Sequence, residues 1–486
     1  MLCRPSWPFS STFSYQLVVA PRFNVLRNLP GPPVPTWFGN HLQHVLNPTV
    51  TPKVYDIFVK RYGRSVRIRG LGPWDERLPH SRSLYEKPWQ SRALITSLIG
   101  CQVHKRQRRV ALPAFSGQNM RSLSRHCLRD AWVNLLPADS ETASAARIDV
   151  CQFLSRVTFD VVGLAASTRS RDETNELFVA YRDMFEVAIS QGSAFRTLLS
   201  IYLPRINRLF PDKTVRTLDR CREVIHRVAG SLIQDKKQKI AEGEKSGDPY
   251  DGKDLLTLLL KSNTATDLPP EHRISDDDIL NNINTFHIQD RLRAELLSIA
   301  PEGIRDLSEL TEDQVQSLHT ALSALPLLHN VTRESLRLIP PLHSTLRVAT
   351  QDDEVPTLEK HSFTVPRGTF VHLSVEAFNL DKAVWGEDAW EFNPDRWDNL
   401  PEAAQRYPWH FSSILSFSAG PRACPGLRFA LIEIKTIYYI LLTNFVFRQT
   451  EDEITRHNVV LTRPYLKGKF KDGTQCPLLV SRFTPS

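Results

Sequence analysis

Upstream of residue 29 the chain has no run of about 20 apolar residues, the length a helix needs to span a bilayer. Residues 9–20 are short, carry four serines and threonines, and are bracketed by Pro8 and Pro21. They also lack the layout of a secretory signal. Cysteine is sparse and unpatterned: seven residues (3, 101, 127, 151, 221, 424 and 476) form no CxxC pair and no regular spacing. That argues against a zinc site and against a disulfide framework, and points to reduced thiols facing the cytosol. No internal repeat or low-complexity tract occurs, so a repeat architecture is excluded.

What is there is ordinary globular text with a basic bias. Of 486 residues, 41% are hydrophobic and 23% charged, which suits a soluble domain with an ample core. Length alone would suggest two or three domains. The net charge of +8 fits nucleic acid, an anionic membrane surface or an acidic protein partner, of which the last two are favoured. Between about 120 and 240 apolar residues recur at three- and four-residue spacing, as at Leu218, Val224, Ile225, Val228 and Leu232, and predict helix after helix. Residues 195–203 are more apolar than their neighbours, and 241–253 read as a solvated loop. Stretches 65–69, 344–348 and 363–371 are β-prone and predict a small sheet.

The most informative text is Phe417-Ser-Ala-Gly420-Pro-Arg422-Ala-Cys424-Pro-Gly426, directly before an apolar helix over 427–442. Glycine and proline on both sides hold a loop open so that backbone N–H groups can point at a sulfur, and the helix brings its positive dipole end nearby; both favour thiolate over thiol. Gly420 and Gly426 suit close backbone approach or positive φ. For the other six cysteines a buried thiol is the default reading. Phe-x-x-Gly-x-Arg-x-Cys-x-Gly resembles the signature of the cytochrome P450 family, where a cysteine thiolate is the axial ligand of haem iron and favours O–O cleavage.

The resemblance covers roughly residues 29–486 and implies one continuous, mainly α fold: the cytochrome P450 fold, a helical domain with a small β-rich subdomain. Residues 1–28 would be a leader, a possible remnant of a membrane anchor, 29–35 a proline-rich hinge, and 36–486 the catalytic domain. A hinge without an anchor suggests a misread N-terminus or attachment by surface contacts alone. The cofactor implied is heme b (iron protoporphyrin IX), with Cys424 on the metal and Phe417 and Gly420 shaping its loop. Arg422 would pair with a propionate. The basic run at 104–109 could be a nucleic-acid patch, but in this family a helix of that kind crosses one haem face. His104 and Arg108, four apart on one face, would then bind propionates, and other basic residues would face an NADPH-cytochrome P450 reductase. Arg347 matches the position that binds the second propionate, which a planar guanidinium suits.

Glu334 and Arg337 lie three apart, so their side chains meet on one helical face. Alone, Glu-x-x-Arg is usually a surface pair. Followed by Pro340-Pro341 and then Phe392-Asn-Pro-Asp-Arg396-Trp397, it resembles the family's buried Glu-Arg-Arg network, a structural lock on the haem-side loop. By resemblance residues 340–346 and 462–466 line a pocket for an apolar small molecule, and 195–203 form either a lid over the channel or a core helix. Asn330-Val-Thr332 is a formal glycosylation sequon, expected to face the cytosol unused.

Three interruptions break the match. Residues 275–278 cap a helix start and 279–286 begin the family's long central helix, which would next show a small residue and glycine, then an acid and a threonine that serve O₂ and protons. Here Phe286 is followed at once by His287-Ile-Gln-Asp290, text that looks like the next helix, so the central helix is truncated and no oxygen-activating catalytic residue is identified. His287, Gln289 or Asp290 could substitute as a proton relay, and His287 could be a distal ligand or merely a junction residue. Shorter excisions follow Leu78 and Cys101. Their intact flanks suggest exon-boundary errors or a decaying copy.

The functions implied are a haem-thiolate monooxygenase, a haem-binding but silent relative, or a chain that cannot hold haem. The first would be a monomer on the cytosolic face of the endoplasmic reticulum membrane, oxidising secondary metabolites or aromatic and steroid-like xenobiotics. Nucleic acid is not an expected partner.

Overall fold

A computed structural model describes residues 25–33, 41, 51–68, 145–158 except 156, scattered positions between 176 and 227, 286–299, 311–356 and most of 362–483. In chain order the elements are α1 (Thr51–Tyr62), β1 (Ala146–Asp149), α2 (Phe286–Ile299), α3 (Glu312–Ala324), α4 (Pro326–Leu338), β2 (Ser344–Val348), β3 (Asp353–Pro356), β4 (Ser362–Val365), β5 (Phe370–Ser374), α5 (Val375–Asn379), α6 (Lys382–Trp385), α7 (Glu402–Gln405), α8 (Leu427–Asn444), β6 (Phe445–Gln449), β7 (Ile454–Asn458), β8 (Thr462–Leu466) and β9 (Pro477–Arg482). They fall into two compact units, one built from Met1–Gln90, Leu342–Ala389 and Arg456–Thr462, the other from Ser91–Pro341, Trp390–Thr455 and Arg463–Ser486.

The first unit carries two small antiparallel pairs. β2 pairs with β5 from Ser344 opposite Ser374 to Val348 opposite Phe370, and β3 pairs with β4. The β-prone stretch 363–371 is thus two strands, split at the turn in which the Thr369 N–H donates to the Pro366 carbonyl; proline cannot donate to a ladder and ends β4. Residues 65–68, expected as strand, are not one: the Arg67 N–H donates to the Pro30 carbonyl at 2.8 Å instead. That contact explains Gly31 in the proline-rich segment, because a Cβ there would sit 2.1 Å from the Arg67 carbonyl oxygen. The chain then turns into α5 under the Ser374 hydroxyl, which accepts from the Ala377 N–H at 3.0 Å. Asp381 caps α6 through the Ala383 N–H at 2.9 Å and receives the Arg64 guanidinium at 2.7 Å.

The second unit has its core around α8, whose residues Ile437–Leu442 are buried together with Leu292 and Leu296 of α2, Leu322 of α3 and Leu328 of α4. Beside them lies a three-stranded sheet in the order β1-β9-β6, antiparallel throughout, with Asp149 opposite Pro477 and Phe445 opposite Arg482. Local chemistry sets the helix starts. Thr311 and Gln314 close a capping box on α3. Pro326 opens α4, and the Glu295 carboxylate accepts the Leu327 and Leu328 N–H groups at 2.8 and 2.7 Å, a negative charge on the positive end of the helix. Burying each such leucine is worth about 1.5–3 kcal/mol. Among the described residues no helix is long and apolar enough to cross a membrane.

Candidate functional site: the cysteine loop and its buried support

The loop from Phe417 to Gly426 is held by its own backbone. The Ser418 N–H donates to Leu415 O at 2.7 Å, Ala423 N–H to Gly420 O at 3.0 Å, and Cys424 N–H to Phe417 O at 2.8 Å. The last bond closes the loop from Phe417 to Cys424 and occupies the amide of Cys424. Gly420 has φ of +69°, and a Cβ there would meet nothing within 4 Å, so glycine is required for its conformation and not for space. Gly426 is different: its φ is −85°, open to any residue, and it is the uncapped residue before α8. Of these two glycines, the positive φ is found at Gly420 and not at Gly426. The Phe417 ring meets Phe411 edge to face at 5.3 Å.

Cys424 is half-buried and outside any disulfide. It lies three residues before Leu427, the first residue of an 18-residue helix whose dipole favours a thiolate. Arg422, also half-buried, occupies the short 3₁₀ turn between. A cysteine outside any disulfide, on a closed loop before a helix N-terminus and two residues from an arginine, is donor chemistry that fits a haem.

Behind the loop is the buried network. Glu334 and Arg337 are both 0% exposed. The Arg337 Nε and Nη2 donate to Glu334 Oε2 and Oε1, each at 2.8 Å, in a bidentate pair. The carboxylate also accepts from the Asn393 N–H at 3.0 Å, Arg396 Nε at 3.4 Å and the Trp397 indole at 3.1 Å, while Arg337 reaches the Glu391 carbonyl at 3.2 Å. One carboxylate thus ties α4 to residues 393–397, and its arginine partner adds Glu391. The cysteine loop is tied to the same helix, because the Ser416 hydroxyl donates to the Leu336 carbonyl.

A second shell of charge surrounds this network. Arg333 stacks over Trp397 at 4.7 Å and donates to Asn330 Oδ1 at 2.6 Å; the Asn330 amide in turn donates to Asp398 at 2.8 Å. Asn330 is buried, so its sequon is not presented for glycosylation. Burial lowers Arg333 below its usual range despite Asp398. Burial, with Arg333 and Lys435 nearby, holds His329 down at about 4, and burial with Arg333 brings Lys435 to about 8. Glu433 of α8 is pushed up to about 8 by burial and is neutral at pH 7.

The network of Glu334, Arg337 and Arg396 was legible in sequence. The Trp397 indole, the Asn393 amide and the Glu295 cap were not, since nothing in the text marks which donor turns inward. Gln289 and Asp290, considered as proton relays, have structural posts. Gln289 exchanges two hydrogen bonds with the Phe447 backbone at 3.2 and 2.9 Å, and Asp290 pairs with Arg293 at 2.6 Å. His287 lies in the first turn of α2, and its side chain is outside the described residues. So are His104, Arg108, the apolar stretch 195–203, the interruptions after Leu78 and Cys101, and the start of the central helix at 275–285. Arg347 lies in β2 opposite Val371, in the first unit.

A helical unit with a thiol loop locked to a buried Glu-Arg-Arg network defines the class of the haem-thiolate proteins. The family model described as Cytochrome P450 matches residues 76–288 and 283–471, and the chain belongs to that family. Curated relatives include Cytochrome P450 monooxygenase 205 of Postia placenta, 33% identical over 525 residues, covering 94% of this chain and 93% of the relative. Cytochrome P450 monooxygenase 128 of the same fungus is 31% identical, with 96% and 94% covered. Ganoderic acid synthetase CYP5150L8 of Ganoderma lucidum is 30% identical, with 78% and 76% covered. The chain is accordingly a monooxygenase-family enzyme with a haem cofactor and the cytochrome P450 fold. The alignment to the first relative is 525 positions long, more than the 486 residues of the chain, so relatives carry residues that this chain lacks. The family model itself matches in two pieces that meet at 283–288, where the expected central-helix text stops.

Proposed function

We propose that the chain is a haem-thiolate monooxygenase in which Cys424 is the axial ligand of heme b and apolar small molecules are the substrates. The observation that carries this reading is the closed loop that presents Cys424, bonded through Ser416 to the same helix that carries Glu334 and Arg337. Haem bound there supplies O₂ activation with two electrons from an NADPH-dependent reductase. The chain's own residues hold and tune it: Cys424 donates its thiolate, Phe417 and Gly420 shape the loop, and Arg422, Arg347, His104 and Arg108 neutralise propionates. The Glu334, Arg337 and Arg396 network has a structural role. The enzyme works as a monomer at the cytosolic surface of the endoplasmic reticulum membrane, with residues 29–35 as the hinge of the 36–486 domain. One relative bears the name ganoderic acid synthetase, which favours secondary metabolites as the substrate class.

A second reading, a haem-binding but silent relative, is favoured by the split of the family match at 283–288 and by the lack of an adjoining acid–threonine pair directly after Phe286, where the text runs His-Ile-Gln-Asp-Arg. A reduced, CO-bound difference spectrum of the expressed chain tests both. The thiolate-haem band is expected, and Cys424→Ser abolishes it; no band in the native chain sinks both readings. Turnover of aromatic, steroid and terpenoid substrates with a reductase then separates them. Sequencing the transcript across Phe286–His287 shows whether the missing text is absent from the message.

A further inference from the structure

Two cysteines far from the Cys424 loop in sequence meet at the end of the β1–β9 pairing. The register ends with Asp149 opposite Pro477. One step beyond, the Val150 N–H donates to the Cys476 carbonyl at 3.0 Å, so the two chains stay paired through this point. The Asp149 carboxylate then gathers both cysteines on one oxygen: Oδ1 accepts from the Cys151 N–H at 3.1 Å and from the Cys476 N–H at 2.9 Å. The two amide nitrogens therefore lie within about 6 Å of one another, the sum of those distances, and the Cys151 side chain is near enough to act on the Cys476 thiol; a disulfide adds the condition that the Cα atoms stand within about 7 Å. Neither thiol is in a disulfide.

We propose that Cys151 and Cys476 are a peroxide-responsive pair, which a hydroperoxide converts to a disulfide joining the start of the 150–158 helical stretch to the strand β9. The two sulfurs differ in a way that orders the steps. Burial, then the neighbouring Cys151 sulfur and the Asp149 carboxylate, push the Cys476 thiol up to about 12. It is a poor first nucleophile and an adequate resolving thiol. Cys151 reacts first: its sulfur attacks one peroxide oxygen, an S–O bond forms, the O–O bond breaks, and hydroxide or alkoxide leaves. The sulfur is oxidised by two electrons and the peroxide reduced. The Cys476 sulfur then attacks that of Cys151, the S–S bond forms as the S–O bond breaks, and the Cys476 proton leaves with the hydroxide as water. The bond closes a loop from 151 to 476, most of the chain, so the oxidised form resists unfolding more than the reduced form.

The test uses the full-length chain, purified reduced, exposed to hydrogen peroxide, alkylated and mapped by mass spectrometry. The expected product is one linked peptide pair containing Cys151 and Cys476, lighter by two hydrogens and reversed by dithiothreitol. The urea midpoint should shift upward on oxidation and return on reduction. In Cys476→Ser, dimedone should capture the sulfenic acid on Cys151. If that variant does not fold, loss of the linked pair in Cys151→Ser provides the same control. Both thiols alkylated after peroxide, or either linked instead to Cys221, would overturn the proposal. Thiol mapping reads neither haem nor turnover, so it stands or falls apart from the monooxygenase reading.

Discussion

Replacing Glu334 by alanine removes the acceptor on which five donors converge: Arg337 Nε and Nη2, the Asn393 amide, Arg396 Nε and the Trp397 indole. Two guanidiniums that are 0% and 7% exposed would then lose the carboxylate they share. Breaking a buried pair in this way costs about 3–5 kcal/mol, most of it the penalty of an uncompensated buried charge. Against a typical stability of about 5–15 kcal/mol, that loss leaves a marginal or unfolded chain. The exposed pair Arg406–Glu402 is the control, because a surface bridge of that kind is worth about 0–1 kcal/mol. Urea titration followed by tryptophan fluorescence would compare Glu334→Ala and Glu402→Ala with the native chain. A sharp loss in the first and none in the second is expected, with Arg337→Lys intermediate because it keeps the charge and loses the bidentate fork. If Glu334→Ala stays within about 1 kcal/mol of native, a value ordinary for surface changes, the network is not what locks the loop.

Gly420→Ala should cost about 1–2 kcal/mol through the positive φ alone, with no clash to relieve, read as a lowered melting midpoint. Glu295→Ala removes both hydrogen bonds at the α4 start and should cost about 1–2 kcal/mol in the same assay. Glu433 keeps its proton up to about pH 8 when folded, whereas an unfolded glutamate loses it near 4.5. The native form therefore binds the extra proton, and this group's contribution falls as pH rises from about 4.5 to about 8, by at most about 1.4 kcal/mol per unit. Glu433→Gln should flatten that part of the stability profile. For His329, held at about 4, the sign is opposite: stability falls as pH drops from about 6.5 to about 4, and His329→Gln should remove that slope.

The cysteine loop and the buried Glu334–Arg337 pair were legible because their residues are close in sequence. Cys424, Gly420 and Arg422 stand within five residues of one another, and Glu334 and Arg337 sit one helical turn apart, so spacing alone predicts which side chains meet. The strand at 344–348 was legible from its β-branched run, whereas 363–371 divides at Pro366 into two strands with different partners and 65–68 forms none. Long-range partners were not. Nothing in the text says that Trp397 turns its indole onto Glu334, that Glu295 caps a helix 32 residues later, or that Asp149 joins Cys151 to Cys476. Gln289 shows the limit most clearly: a buried amide beside the missing text invites a catalytic role, yet it completes the hydrogen bonding of β6. Buried polar groups find partners, and a backbone partner leaves no trace in the residue type.

The same locality bears on how the chain tolerates its interruption. α2 begins at Phe286, at the point where the family match divides, and yet Leu292 and Leu296 are buried at 1% and 0% against the core around α8. Its other anchors run to the same place: Gln289 to Phe447, and Arg293 to the Leu442 and Phe445 carbonyls at 2.7 and 3.0 Å. A helix so held keeps its register through local anchors, and Glu295, carried on it, still reaches the start of α4. Through α4 the order passes to Glu334, and through Leu336 and Ser416 to the cysteine loop. The support of the cysteine loop is thus built from contacts among residues 289–447. Loss of the central-helix segment would separate haem ligation from turnover, leaving a chain with the thiolate-haem spectrum and no product.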